Sequence, residues 1–387
     1  MKKKLFIQLF IVSLAAWIYL FFYNITHASY ISIIDAGSTG SRIHLFEVSA
    51  QKTIVVKEIP VSSAKINPGL ASFAGTSQGQ INAYLKPLTT ALAKTLKQNK
   101  IIKQEVSVQL MATAGMRTLS HEQQIQLEDD VITVLTDNGY QATSVSAVTI
   151  TGKMEGVYAW VALNYIKGTL SGTTKTSGIA EMGGASTQIA FAISKYTQAL
   201  QKDLYKFSFN GQHYTIYSHS YLGLGESLSR AQFANDNHCF LPDYIIPNKT
   251  TTDGNYAQCK FDNKPLVTEV AKVQPVANLL GNTPLYLLGA FYYIANSEPF
   301  NFSSKMTLSN FEKKAAAFCT IKWKKAQQKY PNDPYLYHYC FDGAYYSNLL
   351  TNGYGINSNM TVHPIKKIND ILVDWTLGAA LLSIHPK

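Results

Sequence analysis

The sequence predicts an α/β protein of two lobes, and three observations lead to that prediction. The chain has 387 residues, which is more than one hydrophobic core usually serves. Segments with strand and helix character alternate through its first half. A strand, a loop of small residues and a second strand occur twice, at 30–48 and at 179–193. Two similar lobes that face one another would contain such a repeated unit.

The elements of the first half are predicted from apolar periodicity and from turn residues. Strands are expected, in chain order, at Tyr30–Ile34, Ile43–Val48, Val106–Met111, Thr143–Thr151, Ile179–Met182 and Gln188–Ile193. Helices are expected at Gln78–Gln98, at Gln124–Asn138 and, after an opening glycine, at Gly152–Tyr165. The region 236–365 is rich in Asn, Tyr and Lys, and we interpret it as insertions in the second lobe. We assign 29–150 plus 366–387 to lobe I and 151–365 to lobe II.

The N-terminal residues 1–28 have the character of an export segment. Lys2, Lys3 and Lys4 precede an almost unbroken apolar run from Leu5 to Tyr23, and 26–28 offers a small-residue cleavage site before Ser29. The run is also just long enough to span a bilayer as a retained anchor. Both interpretations predict a catalytic body that is secreted, periplasmic or extracellular, with membrane contact only if the segment is retained.

Four cysteines, all in the second half, agree with export. They permit three connectivities, of which we favour the two local pairs, Cys239 with Cys259 and Cys319 with Cys340. Each loop of about 20 residues would gain roughly 3 kcal/mol from reduced entropy of the unfolded chain. A zinc site is the alternative, but no C-x-x-C spacing supports it.

Composition narrows the function classes. Hydrophobic residues make up 46% of the chain and charged residues 15%, which is typical of a globular protein and excludes a disordered one. The formal net charge of +10 suits an anionic ligand. No Lys/Arg-rich stripe interleaves with aromatic residues, so we expect no nucleic-acid partner. We expect a monomer.

Each of the two small-residue loops follows a strand that ends in an acid. Asp35 precedes 37–40 and Glu181 precedes 183–187. Small residues let backbone N–H groups approach a phosphate, and Ser and Thr add hydroxyl donors. Two carboxylates that converge from two lobes would hold Mg²⁺ or Ca²⁺, directly or through water. Either loop alone is more simply explained as a hairpin turn.

Three further residues are candidates for the same chemistry. Arg42 and Arg117 each lie just beyond a loop, where a guanidinium can pair with a phosphate or with a carboxylate. Glu155 lies at the entry to a helix, where it is either a positioned general base or a carboxylate that interacts with the helix dipole.

Taken together, the motifs resemble those of the nucleoside triphosphate diphosphohydrolases, or apyrases. Five segments match that family's motifs in the family's order: Asp35–Arg42, Ala112–Arg117, Gly152–Tyr165, Glu181–Gln188 and Ser220–Gly225. Three C-terminal segments also match: Tyr339–Phe341, Leu349–Gly353 and Asp374–Gly378. The resemblance extends from about residue 30 to residue 385.

The resemblance implies an actin-like (ribonuclease H-like) fold with a nucleoside tri- or diphosphate in the cleft between its lobes. It implies that Glu155 is the general base. The rest of the catalytic neighbourhood would be Ser186, Gln188, Asn164 and Trp375. The phosphates would contact Ser38, Thr39, Gly40, Arg42, Thr113, Ala114, Arg117, Gly184 and Ala185. The nucleobase would lie against Tyr293 and Tyr337, and a divalent cation (Mg²⁺, Ca²⁺ or Mn²⁺) beside Asp35 and Glu181.

One residue departs from the family's pattern, which usually has Asp where this chain has Glu181. The additional methylene moves the carboxylate by about 1.5 Å. We therefore expect a different metal preference or rate, with a shift towards Mn²⁺.

The expected reaction is metal-dependent hydrolysis of terminal phosphates by direct attack of water. Three alternatives remain open: an exopolyphosphatase or guanosine pentaphosphatase on the same fold, a secreted nucleotide-binding protein without activity, and a sugar kinase. Fold alone cannot separate these alternatives, so a comparison of substrates must distinguish them.

Overall fold

The computed structural model describes residues 29–50, 54–63, 65–172, 174–246 and 250–383. The export segment predicted at 1–28 lies outside these ranges. Within them, no helix combines the length and the apolar character needed to cross a bilayer.

Strands β1 to β14 lie at Ser29–Gly37, Gly40–Ala50, Ile54–Ile59, Val106–Ala112, Val145–Thr149, Gly178–Met182, Ser186–Ala192, Leu204–Phe209, Gln212–Leu222, Leu285–Gly289, Met306–Thr307, Thr361–Pro364, Lys367–Ile368 and Ile371–Leu372. Helices α1 to α11 lie at Gln78–Gln98, His121–Asp137, Gly152–Ile166, Glu226–Gln232, Tyr256–Pro265, Ala277–Leu280, Ala290–Ala295, Leu308–Cys319, Trp323–Lys329, Tyr339–Asn348 and Trp375–Ser383.

The first lobe is built on a five-stranded sheet in the order β3-β2-β1-β4-β5. Strand β1 pairs antiparallel with β2 and parallel with β4, which places Asp35 directly opposite Arg42. Apolar residues on one face of the sheet, such as Ile34 and Leu45, pack with Leu85 and Leu92 of α1 and with Val131 of α2. Helix α1 keeps the predicted bounds. Helix α2 begins three residues earlier than predicted, because Ser120 and Gln123 form a capping box.

The second lobe is built on a seven-stranded sheet in the order β11-β12-β10-β6-β7-β9-β8. Strand β6 pairs antiparallel with β7 and parallel with β10, which places Glu181 directly opposite Gln188. Each sheet thus contains a strand with an acid near its end, followed by an antiparallel hairpin partner and flanked by a parallel strand. The predicted two-lobed α/β fold is confirmed.

Helices α3 and α11 lie between the two sheets and join them through one continuous core. That core contains Ile33 and Phe46 of the first sheet, Ile216 of the second, and Trp160 and Leu381 of the two helices. The helices approach each other closely at a glycine. A Cβ at Gly378 would lie 1.9 Å from the carbonyl oxygen of Tyr158, so a larger residue would force the helices apart.

The helices that cover the second sheet are fastened by two disulfides. Cys239 pairs with Cys259 and Cys319 with Cys340, which is the predicted connectivity. All four sulfur-bearing side chains are buried in the core of this lobe. Neither pair belongs to a zinc site, since no group of three His, Cys, Asp or Glu in the described ranges could hold a metal ion.

Candidate active site

The two small-residue loops face each other across a cavity of about 390 Å³ between the lobes. Sequence-predicted residues that line this cavity are Asp35, Ser38, Thr39, Gly40, Arg42, Thr113, Ala114, Glu155, Glu181, Gly184, Ala185, Ser186, Tyr293 and Trp375. Residues from segments more than 300 positions apart in the sequence therefore meet in one place.

The first loop is the tight turn at Ser38 and Thr39 that connects β1 to β2. Gly40 has φ of 154°, and a Cβ there would lie 2.2 Å from the carbonyl oxygen of Ile66. Gly69 and Gly115 are equally confined, because a Cβ on either would fall within 3 Å of backbone atoms of Ser38. The turn is thus confined between two neighbouring segments.

The second loop, 183–185, is held by the segment that enters α4. The carbonyl oxygens of Gly183 and Gly184 accept hydrogen bonds from the N–H groups of Glu226 (2.9 Å) and Ser227 (2.8 Å). The carbonyl of Ala185 accepts from Gly223 at 2.8 Å. The N–H groups of Gly184 and Ala185 have no acceptor within the described ranges. The carbonyls of this loop therefore accept hydrogen bonds from the protein, whereas the N–H groups of Gly184 and Ala185 have no such partner in the described part of the chain.

Glu155 is held in place by a network of side-chain donors. Thr151 caps α3 by accepting from the N–H of Met154, which puts Glu155 in the first helical turn. Its Oε2 accepts from Arg117 Nη2 at 2.8 Å and from Gln188 Nε2 at 3.0 Å. Both donors also reach Ser186 Oγ, at 3.0 Å and 2.7 Å. The carboxylate and the serine hydroxyl at the cavity wall are thus fixed relative to each other.

Helix α3 can approach the second sheet this closely because Gly156 has no side chain. A Cβ at Gly156 would lie 2.4 Å from Ser218 Oγ and 3.3 Å from Gln188 Cβ. Gln188 donates in addition to Ser220 Oγ at 3.0 Å, while its Oε1 is buried without a partner in the described ranges. The amide nitrogen of Gln188 is therefore oriented by three oxygen acceptors, and its amide oxygen has no partner among the described residues.

Burial raises the pKa of Glu155, and the neighbouring Arg117 acts against that shift. The residue is 7% exposed, so desolvation of the charged carboxylate is the larger effect. A carboxylate with a raised pKa is a stronger base than an ordinary surface glutamate.

Four more carboxylates line the cavity: Asp35, Glu181, Glu226 and Asp374. Burial and the charge of Asp374 raise the pKa of Asp35 to about 7. Burial and the charges of Glu155, Asp374 and Asp35 raise the pKa of Glu181 well above its usual value. The Oε2 atom of Glu181 is buried without a hydrogen-bond partner among the described residues. Such mutual repulsion is relieved when a cation binds between the carboxylates.

Four of the sequence-predicted residues do not line the cavity. Arg117 and Gln188 lie behind its wall and contact Glu155. Asn164 lies about 13 Å along α3 from Glu155, and its amide bonds Ser177 and Thr169 instead. Tyr337 packs against Tyr244, with ring centroids 6.0 Å apart.

Sequence reasoning did not select five charged or aromatic residues that line the cavity: Lys65, Glu226, Tyr292, Lys366 and Asp374. A signal existed for Asp374, which directly precedes Trp375 in a segment that resembles the family. Tyr292 adjoins Tyr293, whose half-exposed ring has the ammonium of Lys366 at 5.2 Å from its centroid. A signal existed for Glu226 too, which directly follows the family-like segment Ser220–Gly225 and begins α4. No local signal marks Lys65, which reaches the cavity only through the folding of a loop.

Comparison with known proteins adds the following. The sequence profile of the GDA1/CD39 (nucleoside phosphatase) family matches residues 23–386. The chain is 30% identical to "Probable apyrase 5" of Arabidopsis thaliana, over 92% of this chain and 82% of that protein. It is 28% identical to "Ectonucleoside triphosphate diphosphohydrolase 1" of Mus musculus, over 90% and 79%.

Solved structures resemble the fold. Nucleoside triphosphate hydrolases from Neospora caninum superpose with a TM-score of 0.66 at 15% identity, covering 97% of this chain and 96% of theirs. A Ppx/GppA family member from Aquifex aeolicus superposes with a TM-score of 0.53 at 13% identity, covering 93% and 100%. At these identities the likeness concerns the fold alone.

Proposed function

Because the chain belongs to the GDA1/CD39 (nucleoside phosphatase) family and is a nucleoside triphosphate diphosphohydrolase, we propose that it cleaves terminal phosphates by direct attack of water, with Glu155 as the general base. The substrates are nucleoside tri- and diphosphates, and the reaction requires a divalent cation. One observation carries this proposal. Glu155 and Ser186 are held together by a shared donor, Arg117, and both lie at the wall of the cavity between the two small-residue loops.

The cavity suits a divalent cation. Asp35, Glu181 and Asp374 supply hard oxygen donors, and Glu181 has one oxygen without a protein partner in the described ranges. These groups do not converge tightly enough to chelate a bare ion. A cation that keeps several waters and also binds substrate phosphates fits this arrangement, and Mg²⁺ behaves in that way. When bound, the ion neutralises charge on the phosphates and on the leaving oxygen.

The protein's own groups perform the remaining steps. The N–H groups of Gly184 and Ala185 and the hydroxyls of Ser38 and Thr39 bind the terminal phosphoryl oxygens. A water at Ser186 and Glu155 attacks the terminal phosphorus on the side opposite the leaving oxygen. Glu155 accepts one proton of that water as the new P–O bond forms. The bond to the bridging oxygen breaks, and the shortened nucleotide leaves with that oxygen's negative charge.

Arg117 and Gln188 support this chemistry without contacting substrate. Both donate to Glu155 Oε2 and to Ser186 Oγ, so they hold base and hydroxyl in one geometry. The Glu155 Oε1 atom is not engaged by either donor, and we assign the proton transfer to it. Tyr293 offers a ring face on which a base of any identity can stack.

We place the catalytic body outside the reducing cytosol. Two disulfides are buried in the second lobe, and such bonds persist in oxidising compartments. Relatives named ectonucleoside triphosphate diphosphohydrolases agree with that location. Whether residues 1–28 are cleaved or retained as an anchor decides between a secreted and a membrane-attached enzyme.

The test is phosphate release by the purified chain from residue 29, with ATP, ADP, GTP, UTP or polyphosphate and with Mg²⁺, Ca²⁺, Mn²⁺ or EDTA. Metal-dependent release from nucleotides is the expected result. Release from polyphosphate alone would instead indicate an exopolyphosphatase. Binding of ATP without hydrolysis under every metal would indicate an inactive nucleotide-binding protein.

A further inference from the structure

Lys65 lies outside all the motifs that resemble the family, yet it lines the cavity beside the first loop. Its segment is fastened to β2 immediately after the first loop. The N–H of Ser41 donates to the carbonyl of Ile66 at 2.9 Å, and the N–H of Ile66 donates back to Ser41 at 3.0 Å. The backbone next to Lys65 is therefore fixed relative to the Ser38–Thr39 turn.

The side chain of Lys65 extends over Gly40 towards the turn. A Cβ at Gly40 would lie 2.6 Å from Lys65 Cε, so the lysine side chain passes directly beside this glycine. At its end, Nζ donates to Thr39 Oγ1 at 2.5 Å. The ammonium thus lies at the hydroxyl of Thr39, which the proposed function assigns to the terminal phosphate.

The ammonium lacks a close counter-charge. Within the described ranges no carboxylate oxygen lies within 4 Å of Lys65 Nζ. The ammonium has three N–H donors, and the hydrogen bond to Thr39 uses one of them. Burial and the charge of Arg42 lower the pKa of Lys65, while the charges of Asp35 and Glu226 act in the opposite direction. A half-buried cation with free donors at the wall of an anion site binds an anion favourably.

We propose that Lys65 is a substrate-binding residue whose ammonium contacts the terminal phosphate of the nucleotide, together with the hydroxyl of Thr39. This inference rests on the proposed function and extends it to a residue that no motif marks. The contact forms with phosphate oxygens and not with the nucleoside, so it is made by any nucleotide that places a phosphate at the first loop.

The experiment compares Lys65→Met, Lys65→Arg and a control, Lys94→Met, which removes an exposed lysine of α1 away from the cavity. Each variant is tested for thermal unfolding, for kcat and KM with ATP, and for binding of inorganic phosphate and of adenosine. For Lys65→Met we expect kcat/KM to fall about 10- to 100-fold, which is the range for loss of one hydrogen bond to a charged group. Phosphate binding should weaken about 10-fold, while adenosine binding stays unchanged. Lys65→Arg should recover part of the loss.

Two outcomes would overturn the inference. One is a kcat/KM for Lys65→Met within twofold of the unmodified chain. The other is an equal loss of phosphate and adenosine binding, which would mean that Lys65 only supports the loop. If the unmodified chain released no phosphate from any nucleotide, the proposed function would fail instead, whereas retained phosphate binding through Lys65 would still be measurable.

Discussion

The hairpins that carry Asp35 and Glu181 have the same plan but different neighbours. In both, the acid lies opposite a residue seven positions later, which is Arg42 in the first lobe and Gln188 in the second. Two residues further along the same strand face, the first hairpin has His44 and the second has Ala190. The first hairpin therefore bears cationic groups beside its acid, and the second bears an amide and a small apolar residue.

This difference suggests a division of roles between the lobes under the proposed mechanism. Because Ala190 is small and Gly156 lacks a side chain, α3 packs directly on β7 and brings Glu155 to Gln188. We therefore assign water activation to the second lobe. The first lobe contributes Arg42 and Lys65 to the cavity, and we assign both to the phosphate charge.

The first way to test this division is to remove the base. We expect Glu155→Gln to fold and to lose about 10²-fold or more of its turnover, because removal of a general base typically costs that much. The rate of phosphate release from ATP and the melting temperature are the measurements. Near-normal turnover by the folded variant would refute the assignment of water activation to the second lobe.

His44 should give the cationic first hairpin a distinct pH dependence. Burial lowers the pKa of His44, but the hydrogen bond that its Nδ1–H donates to Glu58 and the charges of Asp374, Glu58 and Asp35 outweigh it and raise the pKa to about 9. The folded protein thus holds this proton more tightly than the unfolded chain, whose pKa is about 6.5. The resulting stabilisation is complete below about pH 6.5 and is lost as pH rises through 9, in total about 3 kcal/mol.

Denaturant unfolding between pH 6 and pH 10, in EDTA, measures this effect. The free energy of unfolding should fall more steeply for the unmodified chain than for His44→Gln. His121→Gln, which alters an exposed histidine at the start of α2, is the control and should follow the unmodified chain. Parallel curves for His44→Gln and the unmodified chain would contradict the expected shift.

The two residues opposite the acids should affect different kinetic constants. Gln188→Ala removes the donors that hold Glu155 and Ser186, so we expect kcat to fall about 10- to 100-fold with little change in KM. Arg42→Ala removes a positive charge from the cavity wall beside the first loop, so we expect mainly a rise in KM, by about 10-fold. If both variants changed the same constant, the two hairpins would not differ in role.

The smallest effect concerns the acids themselves. Glu181→Asp withdraws the carboxylate by about 1.5 Å, and Asp35→Glu makes the reciprocal change. We expect each to alter the ratio of Mn²⁺- to Mg²⁺-supported rates several-fold. Phosphate release with each metal, with Ca²⁺ as a third case, gives that ratio. An identical metal profile for Glu181→Asp and the unmodified chain would show that the longer acid has no part in metal choice.

Sequence alone predicted the local features of this site and missed those that depend on loop folding. Asp35 and Glu181 were found because each ends an apolar strand before small residues, and α1 was found with its bounds because its apolar face repeats at helical spacing. Asn164 shares a segment with Glu155, but nine residues along a helix separate the two side chains. Lys65 reaches the cavity only because 65–69 folds over the first turn, and no residue near it in sequence indicates that contact.

The position of α11 in the chain has a consequence for biosynthesis. This helix packs between the sheets, and Trp375 at its start lines the cavity, yet the last strand of the first sheet ends at Thr149. A ribosome adds roughly 5–20 residues per second, so the intervening 226 residues (375 − 149) take roughly 10 to 45 s to emerge. During that interval the nascent first sheet lacks one of the two helices, α3 and α11, that share the core on its inner face. The enzyme therefore becomes competent only after α11 has been synthesised.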